Sequence, residues 1–371
     1  MADIGDDTDA FRTEVRTWMA ANYPDALKEE PLNLSNPEAM LGLTPSPAAI
    51  TWRERVGATG WGAPTWPKAY GGGGLSAAEA RVVRQEVARI GAYNPIMGMG
   101  VMMFGPTLLE YGTEAQKQQH IPAICRGELQ WCQGFSEPGA GSDLASLQTK
   151  CEDKGDHYLI NGSKIWTSGA QHAQWCFCLV RTDTSKKHEG ISFILIDMAT
   201  PGVEVRPIQL ISGDSPFCET FFTDVKVPKA NLVGPLNGGW TIAKRLLQFE
   251  RNGLSGGEGD GGAVSLDQMA KAYVGVDEQG RIADGDQRSR LTQHMMDAKA
   301  FTLTLMRAAA EAKGQAGPSA ATSIMKNAGA RVDQERAELT LEIMGRQGLG
   351  WEGDSFKPEE LSAVRDWLGG K

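Results

Sequence analysis

The hydrophobic period of this chain changes twice along its length, and that leaves few architectures open. From Thr8 to about Gly127 apolar residues recur at three- and four-residue intervals. Ala77 to Ile90 (AAEARVVRQEVARI) is the clearest case and predicts an amphipathic helix. From about Gln130 to Pro235 the period falls towards two, and after Gly239 the helical spacing returns over Trp240–Arg251, Arg288–Gln315 and Ser319 to about Gly345. No helical stretch separates the strand-like runs Gln174–Val180, Ile191–Ile196 and Glu219–Val227. An antiparallel sheet or barrel is therefore expected, not βαβ units. The predicted class is α+β: a helical N-terminal domain over residues 1–127, a central antiparallel β domain over 128–236, and a C-terminal helical bundle over 237–371. The total of 371 residues agrees with two or three domains of ~150 residues.

Local signals fill in the outline. His157–Ile160, Asn161-Gly162 and Ser163–Thr167 read as a hairpin, because Asn-Gly favours the turn that joins twisted strands. GWGAPTWPKAYGGGG at Gly60–Gly74 reads as a flexible loop, SGGEGDGG at Ser255–Gly262 as a break, and residues 255–287 as an insertion-like loop. Gly348-Leu-Gly-Trp-Glu-Gly353 fits the dinucleotide motif letter for letter. That motif needs a strand before it and a helix opening on it; here a helical pattern precedes it and Asp-Ser-Phe-Lys-Pro follows, so the reading fails.

Composition narrows the partners. Thirty-seven Lys and Arg against 46 Asp and Glu leave a net charge of −9. That balance argues against nucleic acid or an anionic membrane as the main partner. No uncharged apolar run reaches the ~18 residues of a membrane helix, and MADIGDDTDAF lacks the basic and apolar regions of a signal peptide. A cytoplasmic location is expected. Six scattered cysteines do not form a disulfide framework. Cys176 and Cys178 would share one face of a strand, as a thiol pair or half a metal site, or as two small apolar residues of a buried strand; the last reading is preferred. No paired-histidine or CxxC spacing points to a metal.

WCQGFSEPGAGSDLASLQT, Trp131–Thr149, closely resembles the signature of the acyl-CoA dehydrogenase family. NGSKIWTSGAQHAQW, GISFILIDMATPGVEVRPI and FFTDVKVPKANLVGPLNGGW follow in the family's order. GWGAPTWPKAYGGGGLS and GPTLLEYGTEAQKQQHIPAICRGE in the first third are similar too, so the resemblance runs from about Phe11 to Gly353. It implies FAD bound where the β domain meets the bundle, desaturation of an acyl-CoA thioester between its α and β carbons, and electrons passed to an electron-transferring flavoprotein. Two other readings of the same resemblance are a flavin oxidase acting on acyl-CoA or nitroalkanes, and a catalytically degenerate flavin-binding subunit.

The resemblance also assigns residues. Gln133–Ser142 matches the stretch that lines the flavin, which names Gln133, Phe135, Ser136, Gly141 and Ser142; Ser142 matches a contact to the acyl-CoA as well. Gly139 and Gly141 allow backbone N–H groups close approach to a ligand. Trp166, Thr167 and Ser168 match the second flavin stretch, an indole against the ring with polar donors beside it. Outside such a match, GAGS is a surface turn and WTS a strand end.

Abstraction of an α-proton needs a carboxylate whose pKa burial has raised. Glu250 is the candidate: on Trp240–Arg251 it continues the face of Ala243, Leu246 and Leu247, as in branches of the family that carry the base in an ER pair. The alternative is an exposed Glu-Arg at a helix end. Arg251 matches the family's arginine near the thioester. Glu342, Gly345 and Arg346, in EIMGRQGLG, resemble a segment that contacts FAD across subunits, with Glu and Arg replacing the commoner Gln and Gly. A homo-oligomer is implied.

Two family features are missing from the sequence. The Arg-x-x-Phe-Gly motif has no counterpart in KAYVGVDEQGRIADGDQRSRLTQH, and the chain ends at DWLGGK where the family continues into a Gly-rich loop holding a Glu and a final helix. Were that ending the natural one, FAD retention would be weak and Glu250 would be the only base.

Overall fold

The structure, a computed structural model, describes residues 8–29, 46–254, 265–312 and 322–371. The chain forms two compact units, Met1–Ile208 with Ser215–Gly261, and Gln209–Asp214 with Gly262–Lys371.

The first unit opens with helices α1 (Asp9–Asn22), α2 (Pro47–Thr59), α3 (Ala77–Arg89), α4 (Gly105–Tyr111) and α5 (Glu114–Cys125). Side chains mark their starts. Ser46 caps α2 by accepting from the Ala49 N–H. Ser76 with Glu79, and Thr113 with Gln116, form reciprocal capping boxes on α3 and α5. Trp52 is fully buried among Val15, Met19 and Tyr23, and its indole N–H donates to the Tyr93 carbonyl at 2.9 Å. Glu86, 1% exposed, receives Arg12, Arg16 and Arg89 at 2.6–2.9 Å and ties α1 to α3. The Gly60–Gly74 stretch is a folded loop in which the Gly73, Gly74 and Leu75 N–H groups donate back to Ala63, Trp66 and Pro64. A Cβ on Gly72 would lie 2.4 Å from the Trp66 carbonyl oxygen, so the glycine run serves close packing.

Eight strands follow among the described residues: β1 (Trp131–Gly134), β2 (Lys150–Asp153), β3 (His157–Ser168), β4 (Trp175–Arg181), β5 (Ile191–Asp197), β6 (Val203–Ile208), β7 (Phe217–Pro228) and β8 (Leu232–Val233). They form one open sheet in the order β6-β7-β3-β2-β4-β5-β8, with β1 attached to β4. Most pairs are antiparallel, but β1 runs parallel to β4, and β2 meets β4 in parallel at Lys150 and Arg181. Strands β4 and β5 are buried on both faces, which is why their sequences read as unbroken apolar runs. One face stacks Phe177 and Phe193 with Phe104 over α5 and α6 (Gly239–Leu254); the other buries Cys132, Cys176, Cys178 and Ile194. All six cysteines are free and buried. Gln116 joins the helices to the sheet by donating to the Ala230 and Leu232 carbonyls.

The Asn161-Gly162 hairpin does not form. β3 is one continuous interior strand, paired with β2 on one side and β7 on the other, and Asn161-Gly162 sits at a bulge within it. A Cβ on Gly162, at φ +151°, would lie 2.7 Å from the Thr149 Cα, so glycine serves strand approach there. Asn161 exchanges hydrogen bonds with Asp224 of β7 in place of closing a turn.

In the second unit, α7 (Leu266–Tyr273), α8 (Gly285–Ala312), α9 (Thr322–Met344) and α10 (Pro358–Gly369) are helical. Part of the expected 255–287 loop is thus α7, which buries Leu266 and Ala270 one turn apart; Ser255–Gly262 lies outside the described residues. Gly348–Gly353 follows a helix and precedes bends, as its flanks require. Among the described residues, no helix is long and apolar enough to cross a membrane.

Two buried groups give the first unit a defined acid response. Burial holds His120 down at about 4 from 6.5. Hydrogen bonds from Arg16, with Arg89 and Arg12 beside it, hold Glu86 at about 2 from 4.5 against the upward push of burial. In both cases the unfolded chain binds the proton more readily, so stability falls as pH falls. Urea midpoints should decline between pH 6.5 and 4 through His120, and again between 4.5 and 2 through Glu86. His120→Gln should flatten the first phase and Glu86→Gln the second; titrations of midpoint against pH read both.

Candidate active site

The loop after β1 and the end of β3 are fastened together by a buried ion pair. Lys164 is fully buried, and its Nζ donates to Glu137 Oε1 at 2.8 Å and to the Phe135 carbonyl at 3.1 Å. Glu137 Oε1 also accepts from the Thr149 N–H and hydroxyl, and Oε2 from the Gln148 N–H at 2.6 Å. Burial pushes the Glu137 carboxyl up, but the Lys164 charge and these donors outweigh it and hold it below the usual range. A charge pair survives out of water only when its remaining hydrogen-bonding capacity is filled in this way. Ser136 adds a backbone tie, its carbonyl accepting from the Ile165 N–H at 2.9 Å. Between Glu137 and Ala140 the chain turns back with two mutual backbone bonds. Gly139 within that turn and Gly141 just after it are exposed, with no atom within 4 Å of where a Cβ would stand.

Just beyond Lys164 the β3–β7 ladder slips. Lys164 faces Thr220 and Thr167 faces Cys218, so three steps on β3 match two on β7. This bulge puts Trp166 at φ +59°, a left-handed conformation that a bulky side chain adopts only under constraint. Its indole is 54% exposed, resting edge-on against Phe217 at 5.9 Å. Ser168 is half-buried beside it. Thr167 is turned into the core, and its hydroxyl has no hydrogen-bond partner among the described residues.

Phe135 is buried between Phe177 and Phe193, and Gln133 is half-buried in β1. Ser142 is exposed beside Asp143, which pairs with Lys187 at 2.8 Å. Glu250 is half-buried on α6, one turn after the fully buried Leu246; Arg251 is on the same helix, its side chain outside the described residues. In the second unit, Glu342 is exposed and ion-paired with Arg290, while Gly345 (φ +56°) and Arg346 are exposed at the end of α9. Lys164, Glu137 and Arg181 carry no motif in the sequence. Lys164 and Arg181 are charges at inward-facing strand positions and Glu137 is a charge on the buried side of the loop after β1, which only the fold reveals.

An exposed aromatic face on a strained backbone, a hydroxyl at Ser168 and an open glycine turn fit a flat, polar-edged ring system such as the flavin of FAD. Three profiles of one family cover most of the chain: acyl-CoA dehydrogenase N-terminal domain at residues 5–128, middle domain at 132–225 and C-terminal domain at 237–361. The chain belongs to the acyl-CoA dehydrogenase family. Members are flavoprotein oxidoreductases of acyl-CoA metabolism. The chain is 41% identical over 292 residues to acyl-CoA dehydrogenase FadE34 of Mycobacterium tuberculosis, covering 78% of this chain and 40% of FadE34. It is 35% identical over 354 residues to IpdE1 of the same organism, covering 92% and 87%. The chain thus spans about two fifths of FadE34 and most of IpdE1. Among solved structures, a Tcur3481-Tcur3483 steroid ACAD superposes with a TM-score of 0.73 at 28% identity, covering 100% of this chain and 94% of that one. Glutaryl-coenzyme A dehydrogenase in its glutaryl-CoA complex gives 0.70 at 25%, covering 100% and 92%.

Lys164→Met should cost about 3–5 kcal/mol by stranding the Glu137 carboxylate. A drop in urea midpoint at unchanged slope would show it.

Proposed function

We propose that this acyl-CoA dehydrogenase family member removes two hydrogens across the α–β bond of an acyl-CoA thioester and hands the electrons to an electron-transferring flavoprotein. What supports this most is the strained, exposed Trp166 held beside Ser168 by the Lys164–Glu137 pair. Strain of this kind gathers where a site is preorganised. FAD, when bound, supplies the hydride acceptor at its N5 position. Trp166 would pack against the ring, the Ser168 hydroxyl and the backbone N–H groups of the Ser136–Gly141 segment would meet its polar groups, and Gln133 and Phe135 would back that segment. Thr167, with its side chain in the core, would contribute backbone only.

Glu250 would take the α-proton at a carboxylate oxygen. Its place one turn beyond buried Leu246 and two beyond buried Ala243 sets it at the margin of an apolar stripe, where a bound acyl chain would exclude the remaining water. Ser142 and Arg251 would bind the thioester part of the substrate. Glu342, Gly345 and Arg346 would meet FAD from a second subunit of a homo-oligomer, and Glu342 would leave Arg290 to do so.

The steroid and glutaryl relatives put polycyclic and dicarboxylic thioesters beside straight-chain ones in the first substrate panel. Anaerobic titration of the yellow protein should bleach its flavin band with one thioester class. Glu250→Gln should abolish bleaching with FAD still bound, by at least about 10²-fold in rate. Unchanged bleaching would sink the assignment of the base.

A further inference from the structure

Arg181, at the end of β4, is a buried cation that forms no ion pair with a carboxylate among the described residues. Its Nε donates to the Leu147 carbonyl at 3.2 Å and its Nη2 to Ala145 at 2.6 Å. Its Nη1 donates to Lys186 and Lys187 carbonyls at 3.0 and 2.7 Å. The guanidinium fork thereby bridges two surface segments, residues 143–149, which follow directly on Ser142, and the 182–190 loop joining β4 to β5. At the surface above, Asp143 and Lys187 form a second, exposed link between the same segments. The 182–190 loop is itself closed, with Thr182 and Asp183 N–H groups donating to the Gly190 carbonyl. Its His188 ring lies 4.9 Å from Trp240, in the first turn of the helix that carries Glu250. One buried side chain therefore stands between the Ser142 segment and the start of α6.

Four carbonyls are an unusual set of partners for a guanidinium. They bring no charge of their own, and burial lowers its pKa from the ordinary value against the opposing pull of the Glu137 and Asp183 charges. A neutral donor would satisfy carbonyls at a lower desolvation cost, but none has five N–H groups fixed in a plane that can reach four oxygens on two segments. Such a geometry serves rigidity between loops more than stability of the core.

We propose that Arg181 is a positioning residue for thioester binding, fastening the Ser142 segment to the 182–190 loop so that substrate meets a preformed surface. The proposal rests on the reading of Ser142 as a substrate contact. It is tested on the full-length, FAD-loaded protein with Arg181→Met, Arg181→Lys and Asp143→Asn, by amide hydrogen exchange and by anaerobic titration with the thioester that bleaches the wild type. Arg181→Met should lose protection in residues 145–149 and 182–190 together. It should raise the half-saturating thioester concentration about tenfold while the limiting bleaching rate stays within about twofold. Asp143→Asn should keep protection in both segments, because the surface pair is the weaker link. Protection unchanged in Arg181→Met, or loss in one segment only, would overturn the clamp. Equal changes in half-saturation and limiting rate would overturn the positioning role. If Arg181→Met does not fold, Arg181→Lys decides: a single ammonium cannot span four carbonyls, so wild-type half-saturation in that variant would also overturn the proposal. If no thioester bleaches the wild type, the proposed function fails while the exchange measurement still decides the clamp.

Discussion

A lysine and a glutamate taken out of water together set most of what this molecule can do. Either charge alone would be costly to bury, and the attraction between Lys164 and Glu137 offsets the loss of hydration only because Phe135, Gln148 and Thr149 supply the remaining hydrogen bonds. Satisfying all of those partners at once fixes three segments: the loop after β1, the start of β2 and the second half of β3. A slip of one residue in β3 would turn Trp166 inward and bring Ile165 out. The ion pair is thus a register device, and the bulge that exposes the indole follows from it.

The sheet holds a second buried cation, and the contrast between the two is informative. Lys164 meets a carboxylate and is locked at a point. Arg181 meets four carbonyls and spreads its donors across two loops. A point charge on a flexible stem suits the first task, and a rigid planar fork suits the second. Both depend on the burial of β4 and β5, because a wetter sheet would let water compete for these bonds.

Much of the outline was legible in the sequence because burial writes itself as periodicity. The strand-like runs that form β4 and β5, the amphipathic period of Ala77–Ile90 and the helical stripe ending at Glu250 all depend on near neighbours along the chain. What was not legible depends on partners far away in it. Asn161-Gly162 has every local mark of a turn, yet Thr149 and Asp224 make it a bulge in a continuous strand. The parallel run of β1 beside β4 leaves no trace in either strand alone. Leu266, Met269, Ala270 and Tyr273 carry a short helical signal that the glycine-rich stretch before them obscured. At the site, Trp166 and Ser142 came from motif resemblance. Lys164 and Glu137 looked like ordinary surface charges until the fold showed which way they face.

Position 166 has a cost that selection has to keep meeting. A tryptophan in the left-handed region forgoes backbone stability that glycine would recover at once, and an indole more than half open to solvent gains little by its size. In a lineage released from its chemistry, this would be among the first places where drift improved the fold. Persistence of the bulky residue there would mark a working enzyme, and a small residue would mark a scaffold kept for some other purpose.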